Sequence, residues 1–403
     1  MTDATASTAV SLPRRRAAGW AHLLRQSFAA HWLVVGLPLI ALIPIELILA
    51  TIEQPQRPGL LTLLGSMLTT SLPIALIAIL LLRFVQMLVY EKPTSPALAL
   101  IDDVQSLLRT PVRWMNALPA TVAVLLCSNA MLDIKMNIPS LNPFSWDETL
   151  MQFDRQLHGG YDAWQWLQPL LGYAPITFLI TNIYILWFFV LVGAWVYAAF
   201  RPTFDILRLQ FFISLMIAWL FGGSLLAAMF SSAGPVYYGL IGLAPDPYAP
   251  LLQYLHTVDS AVPLMALDAQ KLLWDGYTGQ IEPYLGISAF PSMHNAMATI
   301  IALMCWRLHR TAGIWLTVFA VLILLGSVHL GWHYAVDSYA GVLIGILSWW
   351  IAGRIAQWNM RLPQVRQYRI DLERLARQGP PTVITDHSSR HDGPLSRPSI
   401  PQA

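Results

Sequence analysis

The sequence predicts an all-α fold, a polytopic bundle of helices that cross a membrane. Three observations predict it. Apolar residues make up 56% of the chain and charged residues only 11%, whereas soluble domains carry roughly a quarter charged residues. Eight apolar runs approach the length of about 20 residues that a helix needs to cross a bilayer. Lysine and arginine also alternate in abundance from one connecting segment to the next, as the positive-inside rule requires. The net charge of +2 gives no global basic field and excludes nucleic acid as a partner.

Taken in order, residues 1–30 are polar and carry Arg14-Arg15-Arg16 and Arg25. No small-residue cleavage site follows the first apolar run, so this reads as an uncleaved basic region rather than a signal peptide. Residues 31–113 hold two spans, Leu33–Thr51 and Leu60–Leu82, then a segment in which Ser95-Pro96 opens an amphipathic stretch. That stretch reads as a helix lying on the membrane surface. A six-span core over 114–358 follows, with spans Trp114–Leu132, Pro175–Phe200, Leu209–Phe230, Pro291–Trp306, Ile314–Val328 and Ser338–Trp358. Residues 359–403 form a tail, rich in Pro, Ser, Thr, His and Asp from Gly379 and expected to be largely disordered. Cys127 and Cys305 fall inside apolar runs and read as small buried residues.

With the N-terminus in the cytoplasm, 20 of the 24 Lys and Arg fall on the cytoplasmic side and four on the other: Arg57, Lys135, Arg155 and Lys271. Both termini are then cytoplasmic. Two long segments lie outside, Asp133–Ala174 and Ser231–Ser288. The second contains Leu251–Trp274, helical in pattern, and its length suits a lid or substrate-binding element. Glu46 lies near the outer end of the first span, where a snorkelling side chain and a functional group are equally open readings. Gly341 and Gly345 have the small-xxx-small spacing of closely packed helices.

The chemistry concentrates between Ala289 and Gly341. Phe290-Pro291-Ser292-Met293-His294 opens a hairpin of two apolar legs, and His329-Leu330-Gly331-Trp332-His333-Tyr334-Ala335-Val336-Asp337 closes it. If both legs cross the membrane, His294, His333 and Asp337 meet at one surface, the outer one. Asp337, four residues after His333 on a helix start, can hold one imidazole nitrogen and leave the other unprotonated. His294 follows Ser292 at a helix N-terminus, where free N–H groups attract an anion. A phosphate seated there could be attacked by His333 while His294 protonates the leaving group. No metal or other cofactor is needed. His329, four before His333, is open to two readings, a phosphate donor or a polar span end.

These residues resemble the phosphatidic acid phosphatase type 2 superfamily. Pro291-Ser292-Met293-His294 is similar to its P-S-G-H motif, and His333-Tyr334-Ala335-Val336-Asp337 to the end of S-R-x5-H-x3-D. The resemblance is closest to the inositol phosphorylceramide synthase branch, in which Phe-Pro-Ser-x-His, His-Tyr-x-x-Asp and a Pro-x-Tyr stretch recur. It implies His294 as acid, His333 as nucleophile, Asp337 as its orienting carboxylate, and Tyr237 and Tyr238 of Pro235-Val236-Tyr237-Tyr238 among the substrate contacts. Two departures stand out. The arginine slot of S-R is Ser327, preceded by Gly326. No segment matches K-x6-R-P, since Arg201-Pro202 lacks the lysine.

With two cations missing, a singly charged phosphodiester fits better than a doubly charged monoester. The expected activity is therefore transfer of a phosphoryl-headgroup from a phospholipid to a lipid or polyol alcohol through phosphohistidine, with membrane lipids as partners. A lipid phosphate phosphatase of the same superfamily is the alternative. A membrane metalloenzyme using His294, His329, His333 and Asp337, or a transporter, remains a more distant one. Among the outer cations, Arg155 is expected to clamp the phosphate first and Lys135 second, because a guanidinium offers two parallel hydrogen bonds. Ser292 adds a hydroxyl.

Overall fold

We describe a computed structural model of the chain. The structure describes residues 11–377, apart from 54, 282–284 and most of 58–86. The expected span Leu60–Leu82 and the expected disordered tail from Gly379 lie outside the described residues. Those residues form helices without a strand. Six helices are long and apolar enough to cross a membrane: Trp32–Leu49, Pro111–Leu141, Ala174–Ala199, Ile206–Met229, Arg310–His329 and Ala335–Asn359. A further helix, Met293–Leu308, coincides with the expected span Pro291–Trp306 but has only 16 residues.

In chain order the helices are α1 (Ser11–Ala30), α2 (Trp32–Leu49), α3 (Pro96–Arg109), α4 (Pro111–Leu141), α5 (Asp147–Leu157), α6 (Ala163–Leu171) and α7 (Ala174–Ala199). Then come α8 (Ile206–Met229, with π geometry over Ala218–Leu226), α9 (Ala249–Ala261), α10 (Met265–Tyr277), α11 (Met293–Leu308), α12 (Arg310–His329), α13 (Ala335–Asn359) and α14 (Pro363–Arg377). Helix α3 starts at Pro96, whose missing N–H costs nothing at a first helical position. The stretch expected as one helix over Leu251–Trp274 is two, α9 and α10. Pro263 cannot continue the first, and the Asp259 carboxylate accepts the Leu264 N–H at 2.7 Å as the chain re-enters a helix.

Helices α11, α12 and α13 form the centre, with α8 packed on α13 and α2 on α4. Glycines permit this closeness. A Cβ on Gly341 would stand 2.2 Å from the Ser292 carbonyl oxygen, and one on Gly345 would stand 2.7 Å from that of Ala296. The α13 backbone therefore rests directly on α11, the purpose of a small-xxx-small pair. This contact sets the two histidine-bearing helix starts at one level.

At the far end of the bundle the buried Arg208 guanidinium donates to the carbonyls of Ala198, Ala199 and Asn116 and contacts His31. Tyr368 of α14 donates to the Asn116 side chain at 2.8 Å, which pins that helix to the bundle. Glu46 pairs with Arg57 at 3.0 Å, both half exposed, so the carboxylate is held at the span end by its neighbour across the turn.

Candidate active site

His294 occupies the first turn of α11. The first N–H of this helix with a backbone partner is that of Ala296, bonded to Ser292 at 3.1 Å, which leaves the preceding N–H groups free of the ladder. His333 stands in the five-residue connection between α12 and α13, and Asp337 in the first turn of that second helix. The backbone joins the two starts, since the Ser292 N–H donates to the Asp337 carbonyl at 3.0 Å. As a result the His294 and His333 rings lie 6.4 Å apart, centroid to centroid. Three side chains separated by up to 43 residues share one site.

His333 Nδ1 lies 3.5 Å from an Asp337 carboxylate oxygen, outside hydrogen-bonding geometry. That oxygen already accepts the Tyr334 N–H at 3.0 Å. Such contacts often tighten only when substrate binds, and a closed Nδ1–Asp337 contact would leave Nε2 as the nitrogen to act. Burial pushes the His333 imidazole down to about 3; the Ala289 carbonyl opposes this and the Lys135 charge adds to it. A neutral imidazole is what a nucleophile requires.

The loop carrying His333 is braced from α5. Asp147, buried, accepts from the Tyr334 hydroxyl, the Ser232 hydroxyl and the Gly234 N–H on one oxygen and from the Ala233 N–H on the other, all at 2.8–2.9 Å. Two helical turns on, Asp154 accepts the Val336 N–H at 3.0 Å. The Asn295 amide nitrogen, behind His294, lies 3.0–3.1 Å from the hydroxyls of Ser292, Ser327 and Ser338. Ser327, in the arginine slot, thus belongs to a buried serine cluster.

The segment matching the family model of the PAP2 superfamily runs over residues 148–351, half of the chain, and contains His294, His333 and Asp337. The chain belongs to the PAP2 superfamily. No curated protein and no solved structure matches it significantly. Members of the PAP2 superfamily are phosphatases or phosphotransferases, and the chain's apolar helices fit an integral membrane protein.

For this PAP2 chain the expected phosphate contact at Arg155 needs a correction. Arg155 is not free to clamp a phosphate. Its guanidinium makes a bidentate pair with Asp162, Nε at 2.8 Å and Nη2 at 2.9 Å, and Asp162 in turn caps α6. Asp154 and Asp147, close to it in the sequence, are engaged elsewhere. Among the described residues Lys135 is the cation near the histidines. Its charge acts on both His294 and His333, and among the described residues its ammonium has no hydrogen bond or ion pair. It sits near the end of α4, which extends to Leu141 rather than Leu132, and the Gly286 backbone passes close against its own.

A signal for Lys135 exists in the sequence. Lys135-x6-Asn142-Pro143 keeps the lysine and proline of K-x6-R-P, with asparagine in the arginine slot. Asn142 does not reach the site. Its side chain donates to the Ala228 and Met229 carbonyls and closes α4 against the end of α8.

Other expected contacts are also engaged elsewhere. His329 is fully buried with Nε2 2.9 Å from the Thr177 hydroxyl. Tyr237 donates to the Gln270 carbonyl at 2.9 Å and stacks on Trp274, while Tyr238 packs on Tyr248; both hold the covering segment together. Ser292 is fully buried, its hydroxyl facing Asn295. Sequence reasoning missed two residues of α7. Tyr184 stacks on the His294 ring at 4.8 Å and 16°, and Trp187 packs on it at 4.1 Å while donating to the His294 carbonyl at 3.0 Å. Lying more than a hundred residues upstream in an apolar span, they give no linear hint of this role. Among the described residues no group of three or more His, Cys, Asp or Glu could hold a metal ion.

Proposed function

We propose that this chain transfers a phosphoryl-headgroup from a phospholipid to the hydroxyl of a second lipid or a polyol, in the manner of inositol phosphorylceramide synthases. The observation that carries this reading is the pair of imidazoles facing each other across 6.4 Å, one backed by Asp337, with Lys135, among the described residues, as the one cation acting on both. A phosphodiester brings a single negative charge, which one ammonium and the free N–H groups of α11 can balance. A phosphomonoester would bring nearly two.

The chemistry follows in two displacements. His333 Nε2 attacks phosphorus, the bond from phosphorus to the diacylglycerol oxygen breaks, and His294 gives that oxygen its proton. The acceptor hydroxyl then loses its proton to His294 and attacks phosphorus, the P–N bond breaks, and His333 returns to its starting state. Asp337 stabilises the positive charge on the ring in between. The distribution of Lys and Arg supports an orientation with both termini cytoplasmic and this site at the extracytoplasmic face.

Purified protein incubated with headgroup-labelled phospholipid, with and without a lipid alcohol, tests the reading. Labelled product that depends on the alcohol is expected. Release of free headgroup phosphate regardless of acceptor would instead mark a hydrolase of the same superfamily.

A further inference from the structure

Helix α7 is apolar along most of its length, with one polar stripe. Thr177, Thr181 and Tyr184 recur at helical spacing and are buried on the face turned inward. Thr177 has partners, His329 at 2.9 Å and the Tyr254 hydroxyl at 2.7 Å. The hydroxyls of Thr181 and Tyr184 are buried without a hydrogen bond. Folded proteins seldom leave such groups unsatisfied, so an orphan phenol in a site is a place where a ligand atom belongs.

The position of the Tyr184 ring narrows the choice of atom. It lies parallel to the His294 ring at 16° and to the Trp332 indole at 8°. Its edge abuts the backbone at Gly326, where an added Cβ would stand 3.2 Å from the ring. Its hydroxyl is directed toward Ser327 without reaching hydrogen-bonding geometry. Gly326 and Ser327 stand where the superfamily pattern has serine and arginine, so the phenol adjoins the position of the missing arginine.

We infer that the Tyr184 hydroxyl donates a hydrogen bond to a non-bridging oxygen of the substrate phosphate, and that it does so as a neutral replacement for a cation. The inference rests on the phosphotransfer reading above. It adds a specificity determinant to that reading: one charge from Lys135 and one uncharged donor from Tyr184 match a phosphodiester. A second cation in this place would favour a monoester.

Tyr184→Phe removes one oxygen and keeps the ring against His294. The expected result is a fall in kcat/KM for the phospholipid donor of about 10- to 100-fold, the value of one hydrogen bond to a charged group, with Tm in detergent unchanged. In a second variant, Tyr184→Leu combined with Ser327→Arg, a guanidinium occupies the vacated space. It is expected to raise the ratio of phosphatidate to phosphodiester turnover above that of wild type and of Tyr184→Leu alone. An active wild type matched by Tyr184→Phe in kcat/KM overturns the inference alone. A wild type that turns over no phospholipid overturns the reading of the site, and the inference with it. A Tm loss in Tyr184→Phe equal to that of Tyr184→Leu would show a structural hydroxyl and also overturn it.

Discussion

Two buried polar clusters sit at opposite ends of α4, and they differ in saturation. Asn116 and Lys135 mark them, 19 residues apart on one helix, or about 28 Å of rise. At the Asn116 end, Arg208 donates to three carbonyls, Asn116 receives the Tyr368 hydroxyl, and none of these side chains has a buried polar atom without a partner. At the Lys135 end, His333 Nδ1, an Asp337 oxygen, the Asn295 carbonyl and the Tyr184 hydroxyl are all buried and unpartnered. A saturated cluster has nothing left to bind and holds helices together. An unsaturated one carries a desolvation cost that a substrate can relieve. Both ends contain a histidine near a cation, so residue type alone does not separate them.

The largest expected effects lie at the unsaturated end. His333→Ala removes the proposed nucleophile and is expected to abolish turnover together with acid-labile labelling of the protein by a phospholipid. A phosphorylated intermediate surviving in this variant would reassign the nucleophile. Asp337→Asn should fold normally and lose about 10²- to 10⁴-fold in rate, because the imidazole loses its orienting anion. Near-normal turnover would make the carboxylate purely structural, the acceptor for the Tyr334 N–H at the start of α13.

Lys135 and Arg155 sharpen the comparison on one face of the molecule. Lys135→Met should reduce kcat/KM for an anionic lipid by an amount worth about 1.5–3 kcal/mol. Arg155→Ala should act through stability, since it leaves the buried Asp162 without its partner. Equal kinetic losses in both variants at unchanged Tm would return Arg155 to the site and break the distinction. At the saturated end, Arg208→Met should lower Tm in detergent while kcat per folded molecule holds. A selective fall in kcat there would show that saturation is no guide to role.

Much of this was legible in the sequence, and the reasons it was or was not are physical. The hairpin from His294 to Asp337 is local: two helices joined by a short basic turn return the chain to its starting level, so spacing alone brings His333 and His294 together. Span positions follow from apolar runs, and Gly341 and Gly345 from their period. What escaped is set by long-range packing. The choice between Arg155 and Lys135 depends on Asp162, seven residues past Arg155 and across a turn, and on how far α4 runs beyond its apolar stretch. Tyr184 escaped because hydropathy averages an inward stripe of Thr177, Thr181 and Tyr184 into the apolar span around it. Only the neighbouring α11 reveals which face of α7 is the polar one.

The smallest effect concerns pH. Burial and then the Lys135 charge, against the Ala289 carbonyl, hold the His333 imidazole at about 3 in the folded protein, while an unfolded histidine titrates near 6.5. Between those values the unfolded chain takes up a proton that the folded one refuses. Stability is therefore complete above about pH 6.5 and declines as pH falls toward 3. His31, at the saturated end, is also held neutral, first by burial and then by the Arg208 guanidinium, with the Ser27 carbonyl opposing. Both His333→Gln and His31→Gln should make the fall of Tm between pH 6.5 and pH 4 shallower. The two should part in the activity: His31→Gln leaves the pH profile of kcat/KM where wild type has it, because its cluster faces no substrate. Lys135→Met raises the His333 pKa and brings the acid limb of that profile to higher pH. A His31→Gln profile displaced as far as that of Lys135→Met would mean that the two ends are coupled through α4.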